Sequence, residues 1–281
     1  GIKTEIKMIK PSVTLSLMAP YGVPFLRPQI KEPWPDLVIA AGRKTIPYLR
    51  YIKKTSKTVC KTIYLQDPKI DSKEFDIVWA PTYDAIDGDN VIKTVTSPNR
   101  VTDQLLNTQH SEWLKILSKL KGPFVGFLIG GKSKAFSFNN KDCEKILTAL
   151  SNVINKGYTP LITMSRRSPK ILSDRIRDLL GNKNNLFYDG NGPNPYFAIL
   201  KVSEVIIATP DSANMISETL NVPKPLYYID LKSNSKRFNK FINILRNSGH
   251  IRPFKNNIEL FDNKKLDPTQ EIVDYISKNL F

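Results

Sequence analysis

Apolar residues follow two rhythms along this chain. Short β-branched runs alternate with longer stretches in which apolar positions recur every three or four residues. The runs predict strands at 36–41 (DLVIAA), 61–66 (KTIYLQ), 75–80 (FDIVWA) and 91–95. Ile46, Leu49 and Ile52 predict a helix after the first run, and Leu105, Leu106, Trp113, Leu114 and Leu117 give 102–120 an apolar helical face. Lys121-Gly122-Pro123 then interrupts the pattern and marks a domain boundary. Beyond it the rhythm restarts, with strands predicted at 124–129, 159–164, 185–188, 204–208 and 225–229. Helices are predicted at 140–155, 168–180, 195–200, 212–220, 235–246 and 267–280, the last entered through Asp267-Pro268. The segment 20–35 carries five prolines and predicts a surface loop.

Strand-helix alternation at this spacing predicts an α/β fold with parallel sheets covered on both faces. Two such sheets make two Rossmann-like domains facing a cleft. The expected ligand site lies beyond the carboxyl ends of the strands.

Charge adds a bias. Among 281 residues, 42 Lys and Arg face 26 Asp and Glu, a net charge of +16. The excess is spread over both halves, with 18 basic against 12 acidic residues in 1–120 and 24 against 14 in 121–281. That field favours a polyanion: nucleic acid, an anionic membrane, or a phosphorylated small molecule. A Lys- and Asn-rich composition accounts for much of it without any ligand. Cys60 and Cys143 cannot build a disulfide framework or a zinc site, so a reducing, cytoplasmic setting is expected. No apolar run approaches the roughly 18–20 residues that span a bilayer. Residues 1–10 alternate Lys with apolar residues and lack the apolar core of a secretory signal.

Three strand-to-helix corners of the second half carry candidate chemistry. Gly130 and Gly131 end a strand, where backbone amides approach a ligand closely, and Lys132 and Lys134 add charge. The Walker A spacing is absent, and a tight turn with solvated lysines is the plain alternative. Ser165-Arg166-Arg167 follows the next strand, and Ser168 with Pro169 reads as a helix cap and first position. Paired arginines there suit phosphate or carboxylate. At the third corner, Asp211, Ser212, Ala213 and Asn214 open a helix whose free amides favour a diphosphate. Glu218, two turns on, is placed to accept from ribose hydroxyls; an Asp211 or Ser212 cap with an exposed Glu is the structural alternative.

In the first half, Gly42, Arg43 and Lys44 follow a strand and open a helix. From Arg43 to Lys61, both included, there are seven basic residues and no acidic one, which suits an anionic acceptor or lipid as well as a solvated face. Gln66 and Asp67 end the next strand. Asp67 is the candidate general base, although Asp-Pro turns are a common structural device. Asp84, Asp87 and Asp89 fit no calcium loop. His110 and His250 form no triad with a nucleophile elbow, and the three Trp residues read as packing.

Several of these segments also carry a resemblance. Ala41-Gly42-Arg43-Lys44, Gln66-Asp67-Pro68, Phe75-Asp76-Ile77-Val78 and Asn99-Arg100-Val101-Thr102 occur in order, followed by Ile129-Gly130-Gly131, Ser165-Arg166-Arg167 and residues 209–218 (TPDSANMISE). In that order they resemble the mitochondrial fission factor ("elongated mitochondria") family of plants and its bacterial relatives. The resemblance implies a GT-B glycosyltransferase-like fold: an acceptor-side domain at 1–120 with the terminal helix 267–281 packed back on it, and a nucleotide-sugar domain at 121–266. It implies a nucleoside-diphosphate sugar as ligand, sugar transfer to an acceptor at the inner membrane surface, and no cofactor or metal. On this reading Gly130, Gly131, Lys132, Ser165 and Arg166 hold phosphates, Asp211 to Asn214 present the helix terminus, Glu218 meets the ribose, and Gly42, Arg43, Lys44 and Gln66 face the acceptor. Two alternatives stand: a non-catalytic scaffold recruiting a protein or an anionic membrane, as plant members recruit a dynamin-related protein, and a nucleoside-diphosphate-sugar epimerase. The epimerase label of bacterial relatives lacks a G-x-G-x-x-G fingerprint here. Nucleic acid has charge alone in its favour. Family members usually begin with a strand and a Gly-rich turn upstream of Lys3; this sequence has no such segment, so one cleft wall is expected to be incomplete.

Overall fold

Continuous apolar runs, rather than alternating ones, form the central strands, because those strands are buried on both faces. The computed structural model describes residues 3–24, 30, 32–57 and 59–280. It divides into two compact units, Gly1–Thr94 with Gln270–Phe281, and Val95–Thr269. Part of the proline-rich segment, residues 25–29 and 31, lies outside the described residues.

The first unit opens with a short helix, α1 (Val13–Met18), capped by Ser12. A parallel sheet follows in the order β1-β2-β3-β4: β1 (Leu37–Ala40), β2 (Lys61–Leu65), β3 (Ile77–Pro81) and β4 (Val91–Thr94). The crossover from β1 to β2 is α2 (Ile46–Ser56), which starts with Pro47 inside its first turn. Its Ile46 and Leu49 pack with Tyr64, Phe75 and Val78 into one core cluster, and Tyr64 stacks on Phe75 at 5.2 Å.

The second unit begins before the expected boundary. α3 (Asp103–Leu117), capped by Thr102, packs against a helix of the second unit rather than closing the first. The pattern break at residues 121–123 is therefore an internal turn leading into β5 (Phe124–Ile129). There follow α4 (Asn140–Asn155), β6 (Thr159–Met164), α5 (Lys170–Leu180), β7 (Leu186–Tyr188) and α6 (Tyr196–Val202), the partner of α3. The unit continues with β8 (Val205–Ala208), α7 (Ala213–Leu220), β9 (Leu226–Tyr228), α8 (Lys236–Asn247) and β10 (Arg252–Pro253). Asn139 and Asp142 start α4 with a reciprocal capping box. All six strands are parallel, in the order β10-β9-β8-β5-β6-β7. From the sheet, Val125, Phe127, Ile162, Val205 and Ile207 are among the residues of a core that Ile146, Leu150, Leu172 and Ile176 from α4 and α5 help to close. The last helix, α9 (Pro268–Leu280), contributes most of its length to the first unit, where the Tyr275 hydroxyl donates to the Asp89 carbonyl at 2.9 Å. No helix among the described residues is long and apolar enough to cross a membrane.

Candidate functional site

The strand order of the second sheet reverses between β5 and β8. From β5 the chain winds outward through β6 and β7, then returns to β8 and winds the other way. In open parallel sheets the crevice at such a reversal, beyond the carboxyl ends of the two strands, is where ligands bind. The corners after β5, β6 and β8 meet at this edge.

They meet by bonding to one another. The Gly130 amide donates to Thr209 Oγ1 at 2.7 Å, and that hydroxyl donates to Asp211 Oδ1 at 2.6 Å. The Gly131 amide donates to Asp211 Oδ2 at 3.0 Å. From the β6 corner, Ser165 N donates to the Ile129 carbonyl at 2.8 Å, and the Ser168 hydroxyl donates to the Gly130 carbonyl. Lys132 N returns a bond to the Arg167 carbonyl at 3.1 Å. The Asp211 side chain has no solvent exposure, with the Arg167 guanidinium 3.7 Å away. Burial pushes its carboxyl pKa up, against the opposing pull of Thr209, the Gly131 amide and Arg167.

This network corrects the expected phosphate cradle. Both glycine amides are spent inside the protein. The glycines are required by close approach: a Cβ on Gly130 would lie 2.0 Å from the Asp211 carboxylate oxygens, and one on Gly131 would lie 2.2 Å from the Arg167 carbonyl carbon. Ser168 is likewise not the cap of α5. Pro169 holds that position without a side-chain bond, and the Ser168 hydroxyl serves the β5 corner.

The third corner keeps its donors. Ser212 caps α7 by accepting from Met215 N at 3.3 Å, and Ile216 N begins the helical ladder on the Ser212 carbonyl. The first amides of a helix have no acceptor within it. Those of Ala213 and Asn214 find none among the other described residues. Asn214 is exposed, and so are Lys132 and Arg166, whose side chains make no hydrogen bond or ion pair among the described residues. Glu218 is half-buried on α7, about 7.5 Å along the axis from Ala213 at 1.5 Å per residue. Beside it lies the Tyr196 hydroxyl, buried and without a partner in good geometry; burial, then the Glu218 charge, raises its pKa well above the ordinary value. Tyr196 and Thr209 are absent from the sequence-derived set. Thr209 begins the 209–218 segment, but nothing in a sequence shows that a threonine bridges two strand ends.

The first-unit candidates sit at a different edge, beyond the carboxyl ends of neighbouring β1 and β2. Gly42 holds φ 91°, the left-handed region that glycine tolerates, and leads into the 43–45 turn. Arg43 donates to the Ala19 carbonyl, while Lys44 is exposed. Gln66 is exposed at φ 145°. Asp67, the expected base, accepts from Lys69 N at 2.9 Å and pairs with Lys69 Nζ at 2.6 Å. Its side chain is only 8% exposed, so the carboxylate is committed to the turn. The basic stretch is partly neutralised: Arg50 grips Glu74 through two nitrogens, and Lys53 lies 3.6 Å from Asp76. Asp87 pairs with Lys93 at 2.6 Å.

The family described as Mitochondrial fission ELM1 matches residues 1–280. An uncharacterized protein of Rickettsia prowazekii, RP120, is 26% identical over 277 residues, covering 84% of this chain and 77% of its own. The mitochondrial fission protein ELM1 of Arabidopsis thaliana is 24% identical over 244 residues, 78% of this chain and 57% of its own. Among solved structures, the UDP-GlcNAc 2-epimerase of Methanocaldococcus jannaschii aligns with a TM-score of 0.51 at 13% identity, covering 87% of this chain and 77% of that one. The two parallel-sheet units have the GT-B-like fold of such proteins.

Proposed function

The chain belongs to the mitochondrial fission ELM1 family, and from that membership we propose that the carboxyl edge of its second sheet binds a nucleoside-diphosphate sugar. One observation carries the reading: the unpartnered amides of Ala213 and Asn214 stand at the reversal of strand order, in line with Glu218 on the same helix. A helix N-terminus attracts a diphosphate through free N–H groups and the positive end of its dipole. Arg166 adds a guanidinium from the neighbouring corner, suited to two phosphate oxygens. Glu218, roughly 7.5 Å further along the helix, offers a carboxylate to accept from ribose hydroxyls. Ser165 and Lys132 flank the site. Gly130, Gly131 and Asp211 shape it without touching the ligand. The fold shared with a UDP-GlcNAc 2-epimerase supports the same ligand class.

The proposal is one of binding. Asp67 is held by Lys69, so no base for sugar transfer is assigned to it. Calorimetry of the full chain with UDP, GDP, ADP and their sugar conjugates tests the reading. Binding weakened by Glu218→Gln is expected. Absence of heat for all of them at millimolar concentration would rule the reading out.

A scaffold on an anionic membrane is the second reading. Lys44, Lys54 and Lys57 support it, being exposed on the stretch that carries no acid. Pairing of Arg50 and Lys53 with Glu74 and Asp76 weakens it. Salt-sensitive pelleting with phosphatidylserine vesicles, lost in Lys54→Glu/Lys57→Glu and without nucleotide binding, would favour this second reading.

A further inference from the structure

Arg100 lies on residues 95–101, ahead of α3, in a segment whose backbone is fixed at three points. Ser97 N donates to Ser217 Oγ at 2.9 Å, and Ser217 Oγ donates to the Ala213 carbonyl at 2.7 Å, so the segment is anchored to the first turns of α7. Asn99 N donates to Thr269 Oγ1 at 3.0 Å, and that hydroxyl returns a bond to the Asn99 carbonyl at 2.8 Å. Val101 N donates to Asn99 Oδ1 at 3.0 Å. Arg100 is thus an exposed side chain on a rigid base.

Its guanidinium has no hydrogen bond and no counter-ion among the described residues. What holds it is a ring: the guanidinium carbon lies 5.0 Å from the centroid of Phe197, which is only 8% exposed. A guanidinium held over a buried aromatic ring, on an otherwise exposed side chain, is partly desolvated and leaves its planar group available to a ligand. Phe197 packs edge-on against Tyr196 at 5.1 Å, and the Tyr196 hydroxyl lies beside Glu218. A chain of contacts therefore runs from Glu218 through Tyr196 and Phe197 to Arg100.

Resting on the nucleotide reading above, we propose that Arg100 is the platform on which the ligand's base stacks. The order of groups on a nucleoside diphosphate matches the order on the protein. The diphosphate meets Ala213 and Asn214, the ribose meets Glu218, and the next group outward, the heterocycle, meets the next group along the contact chain. Stacking on a guanidinium plane tolerates any base, because every base has a π face. Its contribution depends on planarity as much as on charge.

The test compares the full chain with Arg100→Ala, Arg100→Lys and Phe197→Leu, titrated calorimetrically with UDP, GDP and ADP and, in parallel, with inorganic pyrophosphate. Arg100→Ala is expected to weaken nucleoside diphosphates by about tenfold while leaving pyrophosphate unchanged. Arg100→Lys, which keeps the charge and loses the plane, is expected to match it. Phe197→Leu is expected to weaken the same ligands in the same direction, with the lowered melting temperature that truncating a buried ring brings, so it is titrated well below its melt. Unchanged nucleotide affinity in Arg100→Ala would overturn the assignment alone. So would an equal loss for pyrophosphate, or full rescue by Lys, since either makes Arg100 a simple counter-charge. If the wild-type chain binds no nucleotide, the nucleotide reading fails and this assignment falls with it.

Discussion

The Gly131 amide donates to the buried carboxylate of Asp211 at 3.0 Å, across 80 residues of sequence. With the Thr209 bridge to Gly130, that bond joins the ends of β5 and β8 at the reversal of strand order. The consequences for substitution are specific.

Gly130→Ala and Gly131→Ala should each cost at least about 3 kcal/mol, because their new methyl groups meet packed atoms near 2 Å. Asp211→Ala should cost about 2–4 kcal/mol by leaving the Gly131 amide buried without an acceptor and the Thr209 hydroxyl with only the Leu128 carbonyl, 3.5 Å away. The double variants separate the two glycines. Asp211→Ala removes what Gly130→Ala strikes, so that pair should be less destabilised than the sum by about 1 kcal/mol or more. The obstruction at Gly131 is Arg167 backbone, so no such relief is expected there. Urea denaturation of the five variants reads this directly.

Lys224 gives a pH signature. Its ammonium donates to the carbonyls of Lys201 and Ser203 at the end of α6, and burial, with Lys201 nearby, lowers its pKa from 10.5 to about 8. Below that value the lysine is charged both folded and unfolded, and burying the charge counts against the fold. Between about 8 and 10.5 the folded chain has released a proton that the unfolded chain retains, so stability rises with pH. Relative to Lys224→Met, the wild type should gain up to about 3 kcal/mol between neutral pH and the upper end of that window. A difference that stays flat across matched denaturation curves would refute the assignment.

Tyr196→Phe should be neutral or stabilise by up to about 1 kcal/mol, because the hydroxyl it deletes is buried without a well-placed partner. Thermal melts without ligand measure this. A loss above that size would mean the hydroxyl is bonded to Glu218 or Thr219 in solution.

Arg166→Gln should weaken nucleoside-diphosphate binding by about tenfold and flatten its dependence on salt. The melting temperature should not move, since the Arg166 side chain touches no partner among the described residues. Titrations at low and high salt, with a melt of each protein, distinguish a ligand contact from a structural one.

The fold was readable because its signals are local. Residues 140–155 and 159–164 appear as helix and strand with the expected bounds, since hydrophobic period and capping chemistry lie within a few residues of each other. The unit boundary was not readable in this way. Residues 121–123 break the rhythm, yet α3 belongs with α6, and a periodic pattern does not say which face its helix will find. The same limit governs the site. Two glycines after a strand announce close approach, but not whether the approaching group is a ligand's phosphate or the protein's own Asp211. Asp67 fails for a similar reason, its neutralising Lys69 being visible two residues away but its burial not.

The knot around Asp211 also bears on kinetics. Three crossover corners that are bonded to one another cannot adjust separately, so this edge of the sheet is held in one shape, and under the proposed function it needs no rearrangement to receive a ligand. A nucleotide should then associate in a single concentration-proportional phase, without a slow isomerisation behind it.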